Sequence, residues 1–226
     1  TLLGDQNIVR ANMSLVETNS ENIIWSKTIN GNIREGGIFE VQDLMVNEIV
    51  DMLSGNGFVL ENEIYEKIQN KSAENLNQSE CIIIARRYMR FFLEKNLRNA
   101  VKCLNNNILK FPKNSELYAQ LANIQIQGVQ LNLFEDSKSI LSKAAKNADQ
   151  AIMLNPQRAL GHFTRGRLKY ISKEWDSMYN SVEKALKLAP SNLEILSGAG
   201  FMLYWGGKCN IEDYKDRNLK YSNYLE

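Results

Sequence analysis

Residues 156–190 read PQRALGHFTRGRLKYISKEWDSMYNSVEKALKLAP, and their spacing decides how the rest of the chain is read. Apolar positions recur every three or four residues over 159–171 and again over 175–188, with the polar turn Ser172-Lys173-Glu174 between them. That is the period of two amphipathic helices joined by a short turn, and not the period of two of a strand. Proline stands at both ends, where a residue that cannot continue a helix belongs. The same frame extends backwards through Pro112, the only other proline in the chain. Twelve residues before the three prolines stand Ala100, Ala144 and Met178; eight before stand Leu104, Ala148 and Val182; five before stand Asn107, Ala151 and Ala185. Small or apolar residues at fixed offsets are what two helices need where their backbones cross closely.

Helical period also covers 81–94, 97–110, 115–130, 137–154 and 193–204, so nearly everything beyond residue 80 reads as paired helices. Pro156 to Pro190 is 34 residues, and the pattern over 81–208 resembles the tetratricopeptide repeat. In that likeness Gly166 takes the close-contact glycine position, and Ala185 and Pro190 take the consensus alanine and proline positions. Pro112 to Pro156 is 44 residues, which places ten extra residues in a longer turn around 130–137. A fourth pair begins at Leu193 with Gly200 at the glycine position. Glu212 and Asp216 then stand where small or aromatic residues belong, so the chain there is either a solvating cap or departs from the repeat after Gly206-Gly207.

The first sixty residues have a different period. Val9, Ala11, Met13 and Leu15 alternate with Arg10, Asn12 and Ser14, which is a half-buried strand. The polar run 18–22 breaks it, and Ile23, Trp25 and Ile29 resume it on one face up to Asn30-Gly31-Asn32, giving a β-hairpin. From Ile38 the apolar spacing becomes three to four through Val41, Met45, Ile49 and Met52, a helix stopped by Ser54-Gly55-Asn56-Gly57. A hairpin and one helix are too little to stand alone, so this is part of a larger α/β domain. Leu15, Glu17, Trp25, Phe39, Gln42 and Asp43 resemble the end of the TolB-like amino-terminal domain of bacterial regulators. The expected organisation is residues 1–60 as the end of that domain, 61–80 as an Asn-rich linker with Ile64, Tyr65, Ile68 and Leu76 able to anchor a short helix, and 81–226 as the repeat domain. The fold class is mostly α: a superhelix of helical hairpins preceded by a small α/β portion.

Twenty-seven Lys plus Arg against 26 Asp plus Glu leave a net charge of +1, which argues against a bulk nucleic-acid-binding arm. No apolar run reaches the roughly 20 residues of a membrane-spanning helix. Cys81, Cys103 and Cys209 are odd in number and widely spaced, so they read as reduced core thiols and favour the cytoplasm. The chain opens on Thr1, and an upstream segment is expected.

Chemistry is sparse. His162 is the only histidine and has no partner in sequence for a metal set or a triad, so it reads as a packing residue. Gly198-Ala199-Gly200 and Gly55-Asn56-Gly57 lack the third glycine of a dinucleotide loop. Asn12-Met13-Ser14, Asn70-Lys71-Ser72 and Asn77-Gln78-Ser79 fit the glycosylation triplet as chance does in an Asn-rich chain. The basic clusters 86–90 and 165–170 fall at helical spacing, as solvated faces do. No catalytic residue, metal or cofactor is expected.

What the repeat resemblance implies is a protein or peptide partner held on the inner face by the first helix of each pair. Its positions would be Ile82, Ala85, Met89 and Phe92; Glu116, Ala119, Asn123 and Ile126; Leu160, Phe163, Arg167 and Tyr170; and Glu194, Ser197, Phe201 and Tyr204. Asn123, Arg167, Tyr170, Phe201 and Tyr204 are the candidate anchors, since arginine and aromatic side chains carry binding energy best. Trp175 and Trp205 read as packing residues. The two resemblances together imply the interaction region of a bacterial winged-helix transcription regulator, with DNA read by a domain outside this chain. The same pair is similar to the appendage of bacterial adenylate cyclases, and a free-standing scaffold is the third reading. Homo-oligomers are compatible with all three, and related regulators can place such a module in the periplasm.

Overall fold

The computed structural model describes residues 2–5, 8–16, 21, 23–32, 59–206 and single positions between 37 and 47. The chain divides into two compact units, Thr1–Lys67 and Ile68–Glu226.

In the first unit, β1 (Leu2–Asp5), β2 (Ile8–Val16) and β3 (Ile23–Asn32) form an antiparallel sheet in that order. Alternation sorts the faces of β2 and β3 as the sequence implies: Ala11 and Ile29 are buried opposite one another, while Arg10, Asn12 and Ser14 are exposed. Leu15 pairs with Trp25 across the ladder. A register irregularity at Leu15/Val16 follows, and Ile23 beyond it is exposed and not on the buried face. The hairpin is therefore present, with β1 added at its edge. Of the helix expected over 38–53, the described positions Gly37, Phe39, Gln42, Asp43, Met45, Val46 and Asn47 are helical. The rest of that run, its glycine stop and Glu17 lie outside the described residues.

Helix α1 (Val59–Ile68) and a 3-10 turn (Ala73–Asn75) occupy the stretch read as a linker. Six helices then pair in sequence: α2 (Gln78–Phe91) with α3 (Glu94–Lys110), α4 (Ser115–Gln130) with α5 (Ser137–Leu154), and α6 (Ala159–Ile171) with α7 (Trp175–Leu188). Helix α8 (Leu193–Trp205) packs on both α6 and α7. Local chemistry sets the ends. Asn77 and Glu80 form a reciprocal capping box that starts α2 three residues earlier than its apolar pattern does. Phe92, left-handed at φ 55°, ends it at Phe91 and not at Glu94. Asn114, Asp136 and Asn192 each accept a backbone N–H at the start of α4, α5 and α8.

All nine residues at the three proline offsets are buried, Ala100, Leu104 and Asn107 in α3, Ala144, Ala148 and Ala151 in α5, Met178, Val182 and Ala185 in α7. A Cβ added to Gly166 would lie 2.8 Å from Val182 Cγ2, so α6 and α7 cross at a distance only glycine permits. Two expectations change. The ten extra residues of the second hairpin are not all in its turn: relative to the third hairpin, three lengthen α4, four lengthen α5 and three lengthen the turn. Cys81 and Cys103 are not free thiols but a disulfide between α2 and α3, with Cα atoms 5.7 Å apart. The two-residue turn at 92–93 folds α3 back antiparallel, so residues 22 apart in sequence meet nearly opposite each other. This removes the thiol argument for a cytoplasmic setting. Among the described residues no helix is long and apolar enough to cross a membrane, and no cluster of His, Cys, Asp or Glu could hold a metal ion.

Candidate functional site

The first helices of successive pairs, α2, α4, α6 and α8, are neighbours. Their shared face begins with an acid between two arginines. Glu116 sits in the first turn of α4, where the helix dipole favours a carboxylate, and it is buried. Arg158, just before α6, reaches its Oε2 at 2.5 Å, Arg86 of α2 stands 3.8 Å from its Oε1, and Gln120 donates to it at 2.9 Å. Both guanidinium groups remain partly exposed, so this end of the face presents cationic edges around a neutralised acid.

The middle of the face is filled by the protein itself. Arg167 of α6 is only 8% exposed. It donates to Asn123 Oδ1 at 2.6 Å and Asn123 O at 3.3 Å, to Gln127 Oε1 at 2.7 Å and to Gln130 Oε1 at 2.6 Å. Burial pushes its pKa down to about 10, against the pull of nearby Glu194. Asn123 in turn donates to Glu194 Oε1 of α8 at 2.9 Å. Packed helix axes are roughly 8–10 Å apart, so α4 and α8, with α6 between them, could not share a hydrogen bond in a flat layer. The row of first helices is therefore curled tightly, with this face inward. Tyr88 of α2 also feels Arg167; burial pushes its phenol up to about 12, and its hydroxyl has no hydrogen-bond partner.

At the far end the face is aromatic. Tyr170 contacts Trp175 and Phe201 with centroids 5.9 Å apart in both cases, Phe201 contacts Trp205 at 6.4 Å, and Trp205 contacts Tyr204 at 5.2 Å. Phe201 is 55% exposed and Tyr204 64% exposed, whereas Tyr170 is half-buried.

The structure thus separates the five candidate anchors. Asn123 and Arg167 meet each other, buried and engaged within the protein, while Tyr170, Phe201 and Tyr204 form one open aromatic surface. Trp205, read as a packing residue, belongs to that surface and is exposed. Ala119, Leu160 and Phe163 lie in the core between the second and third hairpins and α8. His162 is half-buried, its Nε2–H donating to Pro156 O at 2.9 Å. The sequence does not single out Arg158, and it marks Arg86 and Tyr88 only as members of a basic cluster. The signal for the two arginines is a basic residue on each side of Glu116 in the folded order, which sequence order conceals.

No family model matches the chain. Among curated proteins it is 25% identical over 130 residues to Hsp70-Hsp90 organizing protein 2 of Arabidopsis thaliana, and 22% identical over 129 residues to the Hsp70-Hsp90 organizing protein of Triticum aestivum. A third match, Hsp70-Hsp90 organizing protein 3 of Arabidopsis thaliana, is 25% identical over 130 residues. These matches cover 57–58% of this chain and 20–22% of the relatives, so the chain spans about a fifth of their length. Over that stretch the chain is similar to these organizing proteins, and its second unit is built from paired helices.

Proposed function

We propose that residues 68–226 form a protein-interaction module of the tetratricopeptide type, which holds a protein partner on the inner face of its first helices. The observation that carries this is the open aromatic surface of Tyr170, Phe201, Tyr204 and Trp205, continuous with a polar row that the protein has already neutralised. Exposed aromatic side chains held against one another are pre-ordered, so a partner gains their burial at small entropic cost. The names of the relatives point to chaperones as the partner class.

The regulator and cyclase settings implied by residues 1–55 rest on that resemblance alone, and the relatives found are of neither kind. The test is direct titration of the whole chain with Hsp70 and with Hsp90. Binding that is weakened at least tenfold by the double change Phe201→Ala and Tyr204→Ala supports the reading; binding of the double variant equal to that of the parent chain refutes the aromatic surface as the site.

A further inference from the structure

Only Phe92 and Leu93 join α2 to α3, so the chain reverses at the extreme end of the first hairpin. Three large apolar side chains stand in the open there: Phe91 is 48% exposed, Phe92 49% and Leu93 53%. Phe92 is left-handed at φ 55°, a conformation that glycine adopts at a helix end and that a bulky residue holds only under strain. Its ring meets Tyr88 edge-on at 6.3 Å, and half of it stays uncovered. Strain kept for a side chain that the fold does not bury points to a use outside the fold. Cations lie just behind this tip. Residues 87–98 carry Arg87, Arg90, Lys95 and Arg98 against the single acid Glu94, a net charge of +3, where the whole chain carries +1. Arg87 lies over the Phe91 ring, 4.3 Å from its centroid, which steadies the ring without burying it. Arg98 pairs with Glu94, and Lys95 is exposed.

We propose that this tip is a membrane-surface contact: Phe91, Phe92 and Leu93 enter the outer part of an anionic bilayer, and the four cations meet its phosphate headgroups. The order of the chemistry with depth carries the choice. At 1.5 Å per residue, Arg90 and Lys95 stand about 3 Å behind the apolar turn, and Arg87 and Arg98 about 7 Å behind it. Interfacial apolar groups reach roughly 5–10 Å into the boundary between headgroups and acyl chains, so cations at this height fall in the phosphate layer. A protein partner needs a pocket to receive a protruding tip, whereas a bilayer takes a protrusion without one. Single-stranded nucleic acid, the other polyanion, is held along a groove by flat stacked rings, but these residues sit on a reversing turn and Leu93 has no π-face. Glu135 and Asp136, in the corresponding turn of the second hairpin, are exposed acids, which confines the contact to the first hairpin. The tip shares no residue with the aromatic surface of α6 and α8 and stands independently of the protein-binding role proposed for it.

Sedimentation of the whole chain with vesicles tests the proposal, using phosphatidylcholine alone and phosphatidylcholine with about one-third phosphatidylserine. The expected result is binding to the anionic vesicles alone, weakened by added salt. The partition coefficient is expected to fall about tenfold or more both in Phe92→Gly with Leu93→Ser and in Lys95→Glu with Arg98→Glu. Glycine suits the left-handed position, so the first variant keeps the turn, and circular dichroism checks the helices of both. Binding to neither vesicle, equal binding to both, or binding that Phe92→Gly with Leu93→Ser leaves intact overturns the proposal. Where vesicles are not bound, a tip change that abolishes binding to polyuridylate assigns the patch to nucleic acid, and one that abolishes self-association assigns it to a second copy.

Discussion

Arg167 sits between two roles, and the structure decides between them. Its type and position on the first helix of a pair mark it as a binding anchor, but its guanidinium is already spent on Asn123, Gln127 and Gln130. The sequence conceals this because those acceptors stand 37 to 44 residues earlier, and only the curl of the array brings them within reach. A lysine there offers one point charge in place of a planar fork, so Arg167→Lys leaves buried acceptors unpaired. It is expected to cost about 1–3 kcal/mol in urea unfolding while leaving Phe201 and Tyr204 free to bind. Tyr88 makes the complementary case, a buried hydroxyl without a partner. Tyr88→Phe is expected to leave stability unchanged or to raise it by about 1 kcal/mol. The phenol ionises near 10 when unfolded and near 12 when folded, so it favours the folded state below pH 10 and that contribution is lost as pH rises through 12. Melts of the parent chain and Tyr88→Phe across that window check the sign: the variant's stability falls less steeply.

At the scale of the element, most of the helical unit is legible in the sequence. The runs 115–130, 137–154, 159–171 and 175–188 begin and end at polar turns; the second helices α5 and α7 each bury one stripe, whereas α4 is buried nearly all round. The start of α2 is less legible, since its cap is a side-chain exchange between Asn77 and Glu80 and not a change of period. Gly166 is legible as a crossing point, and Gly166→Ala is expected to destabilise by about 1–3 kcal/mol, against the gain of an exposed helical site. The disulfide is not legible: three cysteines at wide spacing give no framework, and only the antiparallel return of α3 pairs two of them. Closing 22 residues stabilises by about 3 kcal/mol in the chain-entropy account. Reduction with a thiol, or Cys81→Ala with Cys103→Ala, is expected to lower the urea midpoint to the same value, since both remove the same cross-link.

For the whole molecule, the chain divides into two units at Lys67/Ile68, while the change from alternation to a three-to-four spacing comes earlier, at Ile38, so the period marks the strands but not the division between the units. The inner face is only half legible. Residue type and repeat position nominate it, but which of its members are spent internally depends on the curvature that joins Asn123 to Glu194 across α6. Its aromatic end survives that subtraction and is where the account places a protein partner. The most direct measurement is the affinity of the intact chain for Hsp70 and Hsp90 by calorimetry, repeated with Phe201→Ala and Tyr204→Ala and with circular dichroism to show the helices unchanged. The account predicts saturable binding to at least one of them that falls tenfold or more, about 1.4 kcal/mol or above, in the folded double variant. Binding to neither, or binding that the double variant leaves intact, contradicts it.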